Sequence, residues 1–95
     1  MSMNIAAVFY TYDSARADDL AAVRPKHRDF LRSLREEGKL LASGPLSPGG
    51  ALIVVRARSE EEALVLLDGD PMRTAGLVTK RSARMWEPVI GPFGE

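Results

Sequence analysis

The chain has 95 residues, 45% of them hydrophobic and 27% charged, a composition that suits one soluble globular domain with one core and lies far from that of disordered chains. Thirteen basic residues are balanced by thirteen acidic ones, so no summed field draws in a polyanion, and a nucleic-acid partner is disfavoured. The absence of cysteine excludes disulfides, thiolate catalysis and Cys-based zinc sites, and with no targeting signal and no apolar run near the roughly 18 residues that span a bilayer, a cytoplasmic protein without a membrane partner is expected.

Ile5 to Tyr12 is apolar or aromatic at nearly every position and ends at the polar turn Asp13-Ser14, which predicts a first strand. Asp18 to Val23 has the pattern of a short helical turn. Proline disfavours helical geometry at the residue before it, so a new helix is predicted to begin with Pro25 in its first turn. His27, Phe30, Leu31 and Leu34 then recur at helical spacing until Gly38 closes the helix. Lys39 to Ser43 reads as a short second strand, and the turn formers from Gly44 to Gly50 reverse the chain into a third strand, Ala51 to Ala57. Ser59 with Glu62 is a capping box that opens a second helix, which buries Ala63, Leu64 and Leu67 and stops at Gly69. Asp70-Pro71 opens one more short turn, and Leu77 to Trp86, polar at most positions, is the last strand. The basic residues between Lys80 and Arg84 read as solvated surface.

The order is βαββαβ over a single domain, residues 1–95, which predicts an α+β, ferredoxin-like fold with strands one and three inside a four-stranded antiparallel sheet. Two helices cover one face of such a sheet. A second copy of the chain on the other face, giving a homodimer, is expected to keep Val8, Tyr10 and their neighbours out of water.

His27 is the chain's one histidine, and the helix spacing turns it toward the sheet. An imidazole there needs a partner. By spacing alone it reads first as a packed histidine bonded to a carbonyl or water, and Asp70 reads first as the N-cap of the turn that Pro71 starts. The two roles of Asp70 are compatible, because a capping carboxylate held at that point can also accept a bond from an imidazole. A single histidine without cysteine builds no usual zinc set, and Ser43 lacks a nucleophile elbow. No metal or cofactor is expected.

Arg24-Pro25-x-His27 with Leu31, then Gly38-x-Leu40, Ser43-Gly44-Pro45-Leu46, Leu52-Ile53, Glu61-Glu62-Ala63, Asp70-Pro71, Ala75-Gly76-Leu77 and Trp86 follow one another as in the YCII-related (YciI-like) family, which the chain resembles over nearly its whole length. The resemblance implies a ferredoxin-like domain that dimerises through its sheet in the manner of dimeric α/β-barrel proteins. It also implies a His-Asp pair, His27 with Asp70, as catalytic residues, with Arg24 and the Ser43-Gly44-Pro45 turn beside a pocket for a small molecule. At least one member of the family is a dehydrochlorinase acting on a chlorinated hydroxyquinol; most have no assigned reaction.

Two functions follow from this reading. In the first, a small lyase or isomerase, His27 removes a proton from an activated C–H or O–H while Asp70 fixes its tautomer. Arg24 would hold a substrate oxygen, unless it is simply solvated, and the backbone N–H near Gly44 would face developing charge. In the second, the pocket serves recognition alone, as a non-catalytic ligand-binding or accessory domain. A pair that opens into a cavity favours the first, and a sealed pair favours a structural role.

Overall fold

A computed structural model of the chain describes residues 4–94; residues 1–3 and 95 of the expected 1–95 domain lie outside the described residues. The elements run β1 (Ile5–Tyr12), a 3-10 turn (Ser14–Arg16), α1 (Ala17–Glu36), β2 (Leu40–Leu46), β3 (Gly50–Arg56), α2 (Glu60–Leu66), α3 (Pro71–Thr74) and β4 (Val78–Trp86). The strands pair antiparallel in the order β2-β3-β1-β4, so the two most apolar strands lie inside the sheet, as the ferredoxin-like reading requires. Among the described residues no helix is long and apolar enough to cross a membrane.

One face of the sheet forms the core. Ala6, Val8 and Tyr10 of β1 stand beside Ala51, Ile53 and Val55 of β3, and Leu31, Leu34, Ala63 and Leu67 of the two main helices cover them. Val8 and Tyr10 therefore face the helices, which corrects their expected place on the dimer face. The period of two in a strand leaves Phe9 and Leu52 on the opposite face instead, and Phe9 is exposed.

Two boundaries also differ from expectation. No break falls at Pro25: α1 is one helix of 20 residues with Pro25 inside it. An interior proline costs about 3 kcal/mol, but anchoring on both sides outweighs it. Leu20 upstream packs with Met72 and Leu77 in a small second cluster, while Leu31 and Leu34 downstream lie in the main core. Pro25 itself faces solvent. The helix then closes at Gly38, whose φ of 77° lets Gly38 N–H reach the Arg35 carbonyl and Lys39 N–H the Leu34 carbonyl.

The second strand continues past Ser43 through Gly44 and Pro45 to Leu46, with Pro45 opposite Ala51, so the turn shrinks to Ser47–Gly49. An outer strand accepts proline because one row of its N–H groups has no ladder to join. Gly50 is fixed by contact: a Cβ there would lie 2.1 Å from the Tyr10 carbonyl oxygen.

The basic run in β4 divides. Lys80 and Arg84 are exposed as expected, but Arg81 is not free surface: it donates to the Leu64 carbonyl and to the Asp68 carboxylate, tying β4 to the end of α2. Its register opposite Tyr10 puts it on the helix-covered face.

Candidate active site

The spacing of α1 sets Leu20, Arg24, His27, Arg28 and Leu31 along one side of the helix, since positions three and four apart share a face. His27 is buried, at 8% exposure, as the stripe predicts. The chain that leaves α2 brings Asp70 to it. Asp70 has extended backbone (φ −60°, ψ 127°) and caps α3, its Oδ1 accepting from Met72 N–H at 3.0 Å, with Pro71 in the first turn.

The same carboxylate meets the imidazole. His27 Nδ1 lies 2.8 Å from Asp70 Oδ1 and 2.9 Å from Oδ2, and Tyr10 Oη donates to Oδ2 at 2.9 Å. Asp70 is 0% exposed. A carboxylate taken out of water is tolerated only when donors replace that water, and here a backbone amide, a phenol and an imidazole N–H do so. Capping and pairing with His27 are thus two functions of one group.

The geometry fixes the histidine tautomer. A carboxylate accepts only, so Nδ1 carries the proton and the lone pair of the neutral ring is on Nε2. Among the described residues Nε2 has no protein partner and no buried side-chain nitrogen or oxygen lacks one, so Nε2 is the ring nitrogen that solvent reaches.

His27 lines a cavity of about 650 Å³ together with Arg24, Ser43, Gly44 and Pro45. The structure therefore brings together the residues singled out in the sequence, with Asp70 behind His27 and out of the cavity wall. Its volume suits a small organic molecule. Among the described residues there is no group of three His, Asp or Glu side chains placed to hold a metal ion.

Three residues escaped the sequence reading. Tyr10 stands in an apolar strand and reads from the sequence as part of the dimer face; its hydroxyl is the added donor on Asp70. Burial, the charge of Asp70 and the hydrogen bond to it all push its phenol well above the usual tyrosine range. Tyr12, edge-on to Tyr10 at 6.0 Å between ring centres, lines the cavity, and burial and then the charge of Asp70 push it up to about 12 against a lowering by Arg24. Arg28 lines the cavity too. Its signal was present as the i+4 neighbour of Arg24 on the His27 side of the helix.

A profile of the YCII-related domain matches residues 3–87. The chain is 30% identical to the protein YciI of Escherichia coli O6:H1 and to that of Shigella flexneri over 97 aligned positions, covering 87% of this chain and 99% of each relative. Its fold is similar to that of 5-chloro-2-hydroxyhydroquinone dehydrochlorinase (TftG) from Burkholderia phenoliruptrix AC1100, solved in complex with 2,5-dihydroxybenzoquinone. That match has a TM-score of 0.77 and 17% identity, and covers 96% of this chain and 99% of the other.

Proposed function

The chain belongs to the YCII-related family, and from that premise we propose that it is a small-molecule enzyme of lyase or isomerase type in which His27 is the general base. One observation carries the reading: His27 lines the cavity with its Nδ1 held by the buried Asp70, which leaves Nε2 as the ring nitrogen free to meet a ligand. In the proposed step Nε2 takes a proton from an activated C–H or O–H of the substrate, and the electron pair left behind moves into the substrate's π-system. In a dehydrochlorination that pair is passed on as chloride departs with the electrons of the C–Cl bond, and the imidazolium later returns its proton to water. Asp70 stabilises the imidazolium, a contribution typical of positioned acid-base groups of about 10² to 10⁴-fold. Arg24, with Ser43, Gly44 and Pro45 across the cavity, binds the substrate. The family and the fold shared with a dehydrochlorinase support this class of chemistry.

The test is chloride release from 5-chloro-2-hydroxyhydroquinone, together with deuterium uptake from solvent by small cyclic enols, for the native protein and His27→Gln. Turnover lost in the variant supports the assignment. Equal turnover in both, or ligand binding without turnover across the panel, overturns it.

The working unit is proposed to be a homodimer formed over the sheet face that bears Phe9 and Leu52, which the helices leave uncovered. Light scattering at micromolar concentration tests this, and a strict monomer overturns it.

A further inference from the structure

Arg24 and Arg28 both line the cavity, on the same side of α1 as His27. Positions i and i+4 of a helix have Cβ atoms about 5–6 Å apart, close enough for two guanidinium groups to converge on one ligand group. Among the described residues neither makes an ion pair, whereas Arg32, one turn further on, is paired with Asp29 at 2.9 Å, and Arg16 with Asp19 at 3.0 Å. No aspartate or glutamate is among the residues that line the cavity. Asp70 is sealed behind His27 and committed to three donors, and Asp29, which lies near both arginines on the outer side of α1, is paired with Arg32.

The cavity therefore presents, beside His27, two cations without an ion-pair partner among the described residues. Tyr12 adds a hydroxyl at its wall, and with its proton held up to about 12 that hydroxyl is a donor at neutral pH. A neutral apolar ligand would leave both guanidinium groups without a partner.

Resting on the general-base reading, we infer that the substrate is a small organic anion: a carboxylate, or an acidic enol or phenol oxygen ionised at neutral pH, held between Arg24 and Arg28 while the proton to be removed faces His27 Nε2. Arginine suits such oxygens because its planar fork donates two parallel hydrogen bonds to one group. The placement also assists the chemistry, because charge that develops on an enolate oxygen is met by fixed cations.

The experiment compares binding of salicylate and 2,5-dihydroxybenzoate with that of their neutral amides, by isothermal titration and by amide NMR shifts. The proteins are the native chain, Arg24→Gln, Arg28→Gln, Arg28→Lys and His27→Gln. The acids are expected to bind at least tenfold more tightly than the amides, and each Arg→Gln change to weaken the acids about tenfold or more while leaving the amides unchanged. Arg28→Lys restores part of the loss, and His27→Gln keeps the preference for the acids. Equal binding of acid and amide, no binding of the acids, or binding indifferent to both Arg→Gln changes overturns the inference. Both arginines can be replaced without disturbing the core, and amide spectra verify the fold. Turnover that survives His27→Gln sinks the general-base reading; a missing charge preference sinks this inference and leaves that reading standing.

Discussion

Tyr10 Oη donates to Asp70 Oδ2 across 60 positions of sequence, at 2.9 Å and in a fully buried setting. The bond ties the sheet to the turn before α3 and turns a residue of the apolar core into a positioning residue for the carboxylate behind His27. Tyr10→Phe keeps the ring and removes only the donor. Hydrogen bonds to charged groups contribute about 1.5–3 kcal/mol, so the variant should lose stability of that order in urea titrations. If Tyr10 also holds Asp70 in line with Nδ1, turnover should fall through kcat with KM little changed. A stability loss with kcat intact would restrict Tyr10 to a packing role.

Asp70 can be tested in two ways, because its Oδ1 caps α3 while both oxygens face His27. Asparagine caps a helix nearly as well as aspartate. Its carbonyl must remain at Oδ1 for Met72 N–H, which puts the NH₂ where Oδ2 faces Tyr10 and Nδ1. Tyr10 can rotate its hydroxyl and accept from that NH₂, and Nδ1 keeps a neutral carbonyl 2.8 Å away at Oδ1, but an imidazolium then forms with no carboxylate to stabilise it, and the NH₂ beside Nδ1 favours the tautomer protonated on Nε2. Asp70→Asn should therefore change stability by less than about 1 kcal/mol while turnover drops by about 10² to 10⁴-fold. ¹⁵N NMR of the one histidine reads the tautomer directly, and a proton still on Nδ1 with turnover retained would end the case for the pair. Asp70→Ala loses the cap as well, at about 0.5–2 kcal/mol, and leaves buried donors unsatisfied.

The first strand was legible because Ile5 to Tyr12 is apolar or aromatic at nearly every position, and the turn after α2 was legible because Asp-Pro is a capping signal in itself. Sequence pattern stopped where chemistry depends on contact between distant segments. Nothing local distinguishes Tyr10, whose hydroxyl matters, from a tyrosine that only fills space, and nothing local makes Asp70 the partner of a histidine 43 positions away. Resemblance to the family supplied that pairing. Pro25 was misread for the opposite reason: its local rule is strong, and only the two hydrophobic anchors on either side of it override that rule.

Alkaline stability should report the buried phenols. Tyr10 and Tyr12 are the chain's two tyrosines, and both are pushed above their ordinary 10.0, Tyr12 to about 12 and Tyr10 further. Below pH 10 folded and unfolded chains both keep these protons, so the contribution is whole. Above it the unfolded chain releases protons that the folded chain retains, and stability falls as pH rises toward 12. Tyrosinate absorbance should thus lag behind that of free tyrosine and then rise together with loss of helical circular dichroism. Both phenols ionising near pH 10 with the fold intact would contradict the burial of this part of the site.

The last prediction concerns Pro25, which sits in α1 between the segment anchored by Leu20 and the segment that carries His27. Its ring excludes one helical hydrogen bond, to the carbonyl of Ala21, and crowds that turn. Because Pro25 is exposed, alanine there removes little packing. It would restore the bond and relieve the ring, a gain of up to about 3 kcal/mol, less about 0.4–1 kcal/mol for the greater freedom of the unfolded chain. Pro25→Ala should therefore raise stability by about 2 kcal/mol, read as a higher midpoint in urea with an unchanged slope. Pro25 stands a single residue from Arg24 and two from His27, between the half of α1 that packs on Met72 and Leu77 and the half that packs on the sheet. A change in the geometry of that turn would move Arg24 relative to His27, so turnover should fall as stability rises. A stabilised variant with full turnover would show that the proline is incidental to the site, and a destabilised one would show that the ring contributes packing that its exposure does not suggest.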